Sequence, residues 1–304
     1  YINDNNKKYC EAQKQYEEII SDISLLFDKN DSQYLIYFLL EELHNELKIL
    51  ENNKNDNSIV LLKSNEKNKN LELKNFIKTI NENNKSIISK LFSILFENVS
   101  ICHRCDSNTY NYEINYYIEF DLDNVYYFCC QNDIQVLNSQ NNKICIPLIQ
   151  CFINYSHPIS FTEENQIYCN NCNNKSKATY MKYFYSFPPI LIIVLKRSIE
   201  NLLNYDFDFP FELNLKEFCK NCKGNINYKL KGVIAYLKQG EINKNFIAYC
   251  CHGINNEWDC YNNTNVSKLE DQINGYKNGI PYILFYEGKD NYNNFFFPEN
   301  NKVE

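Results

Sequence analysis

The chain has 304 residues, 44% of them hydrophobic, with 25 Tyr, 20 Phe, only 7 Gly and a formal net charge of −7. Such a composition supports a sizeable core and excludes a disordered chain. The acidic balance argues against a general nucleic-acid binder, and the scarcity of Gly, with no dinucleotide fingerprint, argues against phosphate loops.

The first hundred residues read as helical. Ile19, Ile20, Ile23, Leu26 and Phe27 recur at helical spacing. After a break at residues 28–31, a second helix is predicted over 34–50. Its apolar face is Ile36, Leu39, Leu40, Leu43, Leu47 and Leu50, with Asp31 or Ser32 as N-cap. Residues 51–75 are rich in Asn and Lys and read as a mobile insertion with an apolar island at 59–62. From Tyr110 onward alternation takes over. YNYEINYYIEFDL (110–122) reads as one strand with Tyr112, Ile114, Tyr116, Ile118 and Phe120 on one face, only Tyr117 breaking the polar face. Further strands are predicted over 177–187, 190–198, 228–237, 245–251 and 282–287, and a loosely held tail closes the chain. Helices followed by a long antiparallel β region imply an α+β fold in one domain.

The sequence carries 14 Cys. Cys102-His103-Arg104-Cys105 and Cys169-Asn170-Asn171-Cys172 are two C-x₂-C knuckles separated by strand-like sequence. Two such pairs can close a tetrahedral, structural zinc site, the knuckles sitting at the tips of two hairpins; free buried thiols are the competing reading. His103, between two candidate ligands, is expected to be exposed. Cys219-Lys220-Asn221-Cys222 has no partner pair and reads as a surface turn. Cys129-Cys130 and Cys250-Cys251, in strand-like runs, read as core filling.

Several segments, in order, resemble the ubiquitin-specific proteases, the papain-like deubiquitinases. NDSQYLIYFLLEELHNEL (30–47) is similar to their QQD-x-x-EF-x-x-x-LL-x-x-LH segment, with Tyr34 and Leu35 where Glu-Phe is usual. CHRC and IYCNNC resemble the two zinc knuckles. KATYMKYFYSFPPILIIVLKRS (177–198) resembles the A-x-K stretch that leads into a P-x-x-L-x-x-x-LKRF strand. YKLKGVIAY, FIAYC, NNEWDCYNNTNV and GIPYILFYE resemble the terminal strands of that family. The resemblance runs in register from about residue 20 to 287.

It implies a hand-shaped papain-like fold: a partial helical thumb from residues 1–97 with a disordered insert at 51–75, zinc-tipped β fingers from 98–180, an antiparallel β palm from 181–290 and a tail from 291–304. Ubiquitin, or a ubiquitin-like modifier, would be gripped by the fingers, its tail threading between thumb and palm; Asn30 and Asp31 match the Gln-Asp that holds the tail, although Asp31 can equally cap the helix. A larger complex is a further possible partner, and nucleic acid and membrane are not expected. With no leader or membrane span visible, a cytoplasmic or nuclear location is expected.

The family's reaction needs a thiolate, an imidazole and a polar residue that orients the imidazole. No G-N-T-C box is found here; Cys10 lacks its surroundings and reads as an ordinary helix-start cysteine. At the position of the family's G-H-Y histidine the chain has Asn245, within Lys244-Asn245-Phe246, and Asn262 stands at the third position. An amide nitrogen cannot accept a proton from a thiol. The chain therefore reads as a catalytically degenerate ubiquitin-binding or scaffold module. The alternative is an active deubiquitinase whose Cys box lies upstream of Tyr1, which would still need a substitute base.

Overall fold

The structure is a computed structural model that describes residues 32–48, 69–83, 85–136, 144–197, 205–221, 226–239, 243–252, 256–262, 264–269 and 279–289. The expected helix around residues 19–27, Asn30, Asp31 and the tail 291–304 lie outside the described residues, as does the insert up to residue 68.

Helix α1 spans Ser32–Glu46, α2 Lys69–Asn83 and α3 Ile87–Phe92. The buried face of α1 carries Leu40 and His44, with Ile36 partly covered, while Leu43 and Leu47 are 42% and 47% exposed. The apolar stripe expected for this helix is thus turned toward 36, 40 and 44, an i, i+4, i+8 row. Helix α2 starts inside the Asn/Lys-rich stretch read as mobile to residue 75, so that stretch ends in ordered helix.

Three short β-strands follow: β1 Ile94–Cys102, β2 Asn108–Asn115 and β3 Ile118–Asp121. The single strand expected over 110–122 is broken, because Tyr116 and Tyr117 form a bend that sends β2 and β3 to different sheets. Asp121 then caps a helix, its carboxylate accepting from the amides of Asp123 (3.1 Å) and Asn124 (3.2 Å). That helix, α4 (Leu122–Gln131), buries Leu122, Val125, Phe128 and Cys129 at helical spacing. Cys129 and Cys130 are therefore helical and not in a strand; only Cys129 fills core. After β4 (Ile144–Pro147), helix α5 (Leu148–Tyr155) buries Leu148, Cys151 and Phe152.

The remaining strands are β5 Ile159–Phe161, β6 Ile167–Cys169, β7 Asn174–Ser176, β8 Ala178–Ser186, β9 Ile190–Lys196, β10 Tyr205–Asp208, β11 Glu212–Asn214, β12 Asn227–Gln239, β13 Asn243–His252, β14 Glu257–Asn262, β15 Asn265–Leu269 and β16 Ile280–Gly288. A four-stranded sheet has the order β2-β1-β8-β5. An eight-stranded sheet runs β15-β14-β13-β12-β16-β9-β3, with β11 pairing to β12. The pairing is antiparallel except for β3 with β9 and β10 with β4, which are parallel. Each parallel pair is joined by a long crossover, β3 to β9 by way of α4 and α5 and β4 to β10 by way of α5 and β5–β9, the kind of connection a parallel pair requires.

Both sheets are built on alternation, so each has two distinct faces. In β9, Leu191, Ile193 and Leu195 enter the large core with α4 and α5, whereas Ile192 and Val194 meet α1 and α3. In β1, Ile94 and Phe96 enter the same large core, whereas Leu95 and Val99 meet α2. The large core thus runs continuously under both sheets. Phe184 of β8 sits at its centre, within 4.9–5.5 Å of the rings of Phe96, Phe152, Tyr155 and Phe187.

Candidate functional site

Two hairpin tips meet at one end of the four-stranded sheet. Cys102 is the last residue of β1 and Cys105 lies in the turn to β2; Cys169 ends β6 and Cys172 lies in the turn to β7. The turns share a device: the residue after each second cysteine, Asp106 or Asn173, has a left-handed backbone (φ 51° and 48°). Asp and Asn tolerate that conformation better than most L-residues, which lets both sulfurs of each knuckle face inward.

All four Sγ atoms lie within 4.8 Å of one another. Cys102 to Cys172 is 4.0 Å and Cys105 to Cys169 is 3.7 Å. A tetrahedral four-thiolate centre with bonds of about 2.3 Å has sulfurs about 3.8 Å apart, so the cage fits a metal ion. Its surroundings favour thiolates. The Ser107 hydroxyl lies 3.1 Å from Cys105 Sγ and 3.5 Å from Cys169 Sγ, and Asn171 Nδ2 donates to Cys105 at 3.5 Å. At Cys102 the sense is reversed: its thiol donates to Ser176 Oγ at 3.3 Å, and the Ser176 hydroxyl donates to the Lys177 carbonyl at 2.7 Å. Bonds from Asn171 and Ser107 pull the Cys105 thiol down to about 6, and Ser107 also lowers Cys169. Burial, with the neighbouring thiols, pushes Cys172 up to about 12. A cluster in which some thiols ionise readily and another resists is what four crowded sulfurs give without a cation among them, and a cation removes the conflict. Ser107, Asn171 and Ser176 were not singled out from the sequence, although a polar residue within a few positions of each ligand was there to be read. His103 is exposed, with Nε2 2.8 Å from Thr179 Oγ1.

Asn245 is the third residue of β13, paired with Leu237 of β12. The strand thus begins two residues earlier than the expected 245–251. Asn262 ends β14, one step beyond the Ala248–Tyr261 pair between β13 and β14. Continued by one step, that register sets Asn262 across from Ile247, two residues from Asn245. The next residue, Phe246, packs its ring against Tyr236 (5.6 Å) and Tyr282 (5.5 Å), anchoring the strand there.

The sequence contains 4 His, and each has a definite place. His44 is buried in α1, its Nδ1 2.7 Å from Ser86 Oγ. His103 is at the knuckle. His157 lies against Phe128, ring centroids 5.0 Å apart and tilted by 59°. His252 ends β13, seven residues beyond Asn245, with Nε2 3.6 Å from Asp259 Oδ2. None of the four stands at the β13 position of Asn245.

The family model described as "Ubiquitin carboxyl-terminal hydrolase" matches residues 5–286, nearly the whole chain. The chain belongs to this family. Ubiquitin carboxyl-terminal hydrolase 4 of Pongo abelii is 28% identical over 169 residues, covering 53% of this chain and 17% of the relative. Ubiquitin carboxyl-terminal hydrolase 17-like protein B of Mus musculus is 26% identical over 195 residues, covering 61% and 36%. The chain thus spans well under half the length of these curated relatives. Among solved structures, a SAGA Ubp8/Sgf11/Sus1/Sgf73 DUB module aligns with a TM-score of 0.59 at 19% identity, covering 87% of this chain and 52% of that one. The same module bound to ubiquitin aldehyde aligns with a TM-score of 0.55 at 17% identity, covering 86% and 50%. The fold is the papain-like α+β hand of the family. The four-stranded sheet with the cysteine cage forms its fingers, the eight-stranded sheet its palm, and α1 and α3 its thumb. Within residues 98–180, β3, α4, β4 and α5 lie outside the four-stranded sheet and belong to the large core, where Phe152 and Tyr155 of α5 meet Phe96 and Phe184 of that sheet. No described helix is long and apolar enough to cross a membrane.

Proposed function

We propose that this chain is a catalytically degenerate ubiquitin-specific protease domain that binds ubiquitin, or a ubiquitin-like modifier, without hydrolysing it. One observation carries the reading: all four histidines are committed elsewhere, while Asn245 holds the β13 position that the resemblance gives to the general base. Losing a triad member in a hydrolase can cost on the order of 10⁶ in kcat. An amide at that position accepts no proton, and Asn262 then has no imidazole to orient. Asn30 and Asp31 are kept as the tail-binding pair, Asp31 accepting backbone N–H groups from the ubiquitin C-terminus.

In this reading the cage of Cys102, Cys105, Cys169 and Cys172 holds zinc, the ion that four thiolates in a closed tetrahedral set select. With all four positions filled by protein, it would fix the fingertips and take no part in chemistry.

The test is a calorimetric titration of the zinc-loaded chain with ubiquitin, then a ubiquitin–fluorophore cleavage assay on the same sample. Binding without turnover is expected, and Asp31→Ala should weaken it. Turnover would overturn the degenerate reading in favour of an active hydrolase; no binding of any modifier would remove ubiquitin as partner and leave a scaffold.

A further inference from the structure

The finger sheet has two faces, and both are taken. One packs into the large core through Ile94, Phe96 and Phe184, with the Lys182 ammonium 4.6 Å from the Phe96 ring and 5.0 Å from that of Tyr155. The other carries Leu95, Val99, Tyr110, Tyr112, Ile114, Met181, Tyr183 and Tyr185, and α2 lies across it. The contact is made by Leu73, Phe76, Ile77 and Ile80, at positions i, i+3, i+4 and i+7. Phe76 meets Tyr112 with ring centroids 5.9 Å apart.

A polar latch sits at one end of this seat. Glu97 projects from the same face of β1 and is fully buried. Lys69, the first residue of α2, reaches both its carboxylate oxygens, at 3.1 and 3.0 Å, and lies over the Tyr110 ring at 4.7 Å. Lys220 also pairs with Glu97, from the turn after β11, and the Tyr112 hydroxyl lies 3.4 Å from it. A buried carboxylate held between two separate lysines keeps one cation if the other leaves, so undocking α2 does not strand it unpaired.

Helix α2 is a weak helix on its own account. Its sequence, KNLELKNFIKTINEN, is rich in Asn and carries β-branched residues, and 15 residues of such composition are marginal alone in water. It is helical because it is docked. The seat, rich in tyrosine and with a methionine, has the mixed character of an exchangeable surface more than that of a permanent aliphatic core.

We propose that α2 is an intramolecular strap that occupies the finger surface on which the partner docks, so that ubiquitin and α2 compete. This rests on the ubiquitin-binding reading above. A partner gripped by a face of the finger sheet meets the one α2 covers, since the other is built into the core.

The experiment measures ubiquitin affinity by calorimetry for three proteins: the natural chain, a variant with residues 51–83 replaced by a short Gly/Ser linker, and Lys69→Glu. If α2 is docked about nine-tenths of the time, its removal tightens binding about tenfold. Lys69→Glu, which sets a second carboxylate against Glu97 without uncovering the apolar face, should give a smaller gain in the same direction and stands in if the deletion fails to fold. A synthetic peptide of residues 69–83 added to either variant should reverse the gain. Equal or weaker binding by the folded variants would overturn the strap and leave the ubiquitin reading intact. If neither the natural chain nor any variant binds, both fall.

Discussion

The sharpest consequences at the scale of single residues concern the sulfur cage and one histidine. Replacing Cys102 or Cys169 by Ser should abolish stoichiometric metal, measured by plasma mass spectrometry, and lower the thermal midpoint; chelation of the natural chain should do the same reversibly. His44 makes a second case. Its imidazole is held below its ordinary pKa by burial first and by Lys48 second, with Glu41 opposing. Ser86 Oγ, which accepts the Ser89 amide (3.0 Å), lies 2.7 Å from His44 Nδ1, and burial disfavours the charged ring. The unfolded chain takes up a proton near the ordinary value of about 6.5, and the folded chain resists it. Stability linked to His44 is therefore complete above that value and is lost as pH falls below it toward the depressed folded value. Denaturant midpoints should drop more steeply between pH 7.5 and 5.5 for the natural chain than for His44→Gln, whose amide does not titrate. Equal slopes would reject the argument.

Elements show why some of the fold was legible and some was not. Strands β9, β12, β13 and β16 were readable because runs such as ILIIVLK are too β-branched and too short for anything but buried strand. The knuckles were readable from spacing alone. Helix α4 was not, because Tyr117, the one apolar residue out of phase in 110–122, was taken as a blemish on a single strand when it marked the bend between two. The signal for α4 was present: Asp121 before Leu122, Val125, Phe128 and Cys129 is a capped helical row. The expected stripe of α1 included Ile36 and Leu40 but not the buried His44, whose partner Ser86 is 42 residues away, a pairing that no local pattern reveals. Asn245 and Asn262 were found only by resemblance, since an Asn on a strand announces nothing by itself. For α3, the Ser86 hydroxyl and that of Ser89 make a reciprocal cap. Ser86→Ala should therefore cost about 1–2 kcal/mol, by loss of the cap and of the His44 bond together, measured by urea denaturation. A change under a few tenths would show that α3 is held by packing alone.

At the scale of the whole molecule, the two sheets stand or fall together. Phe184→Ala should cost about 3–5 kcal/mol, because it empties the aromatic cluster that joins β1, β8 and α5. Its signature would be one cooperative transition at lower denaturant, with metal retention and palm fluorescence lost at the same midpoint; two separate transitions would mean independent lobes.

The continuity of that core has a further implication for recognition. Because one buried cluster joins the two sheets among the described residues, the span from the sulfur cage to β13 is expected to be set when the chain folds. If the proposed modifier binding holds, the molecule would act as a calliper locked at one opening: a globular partner would be accepted by its girth, and a larger or smaller one refused by misfit, whatever chemistry the β13 position supports.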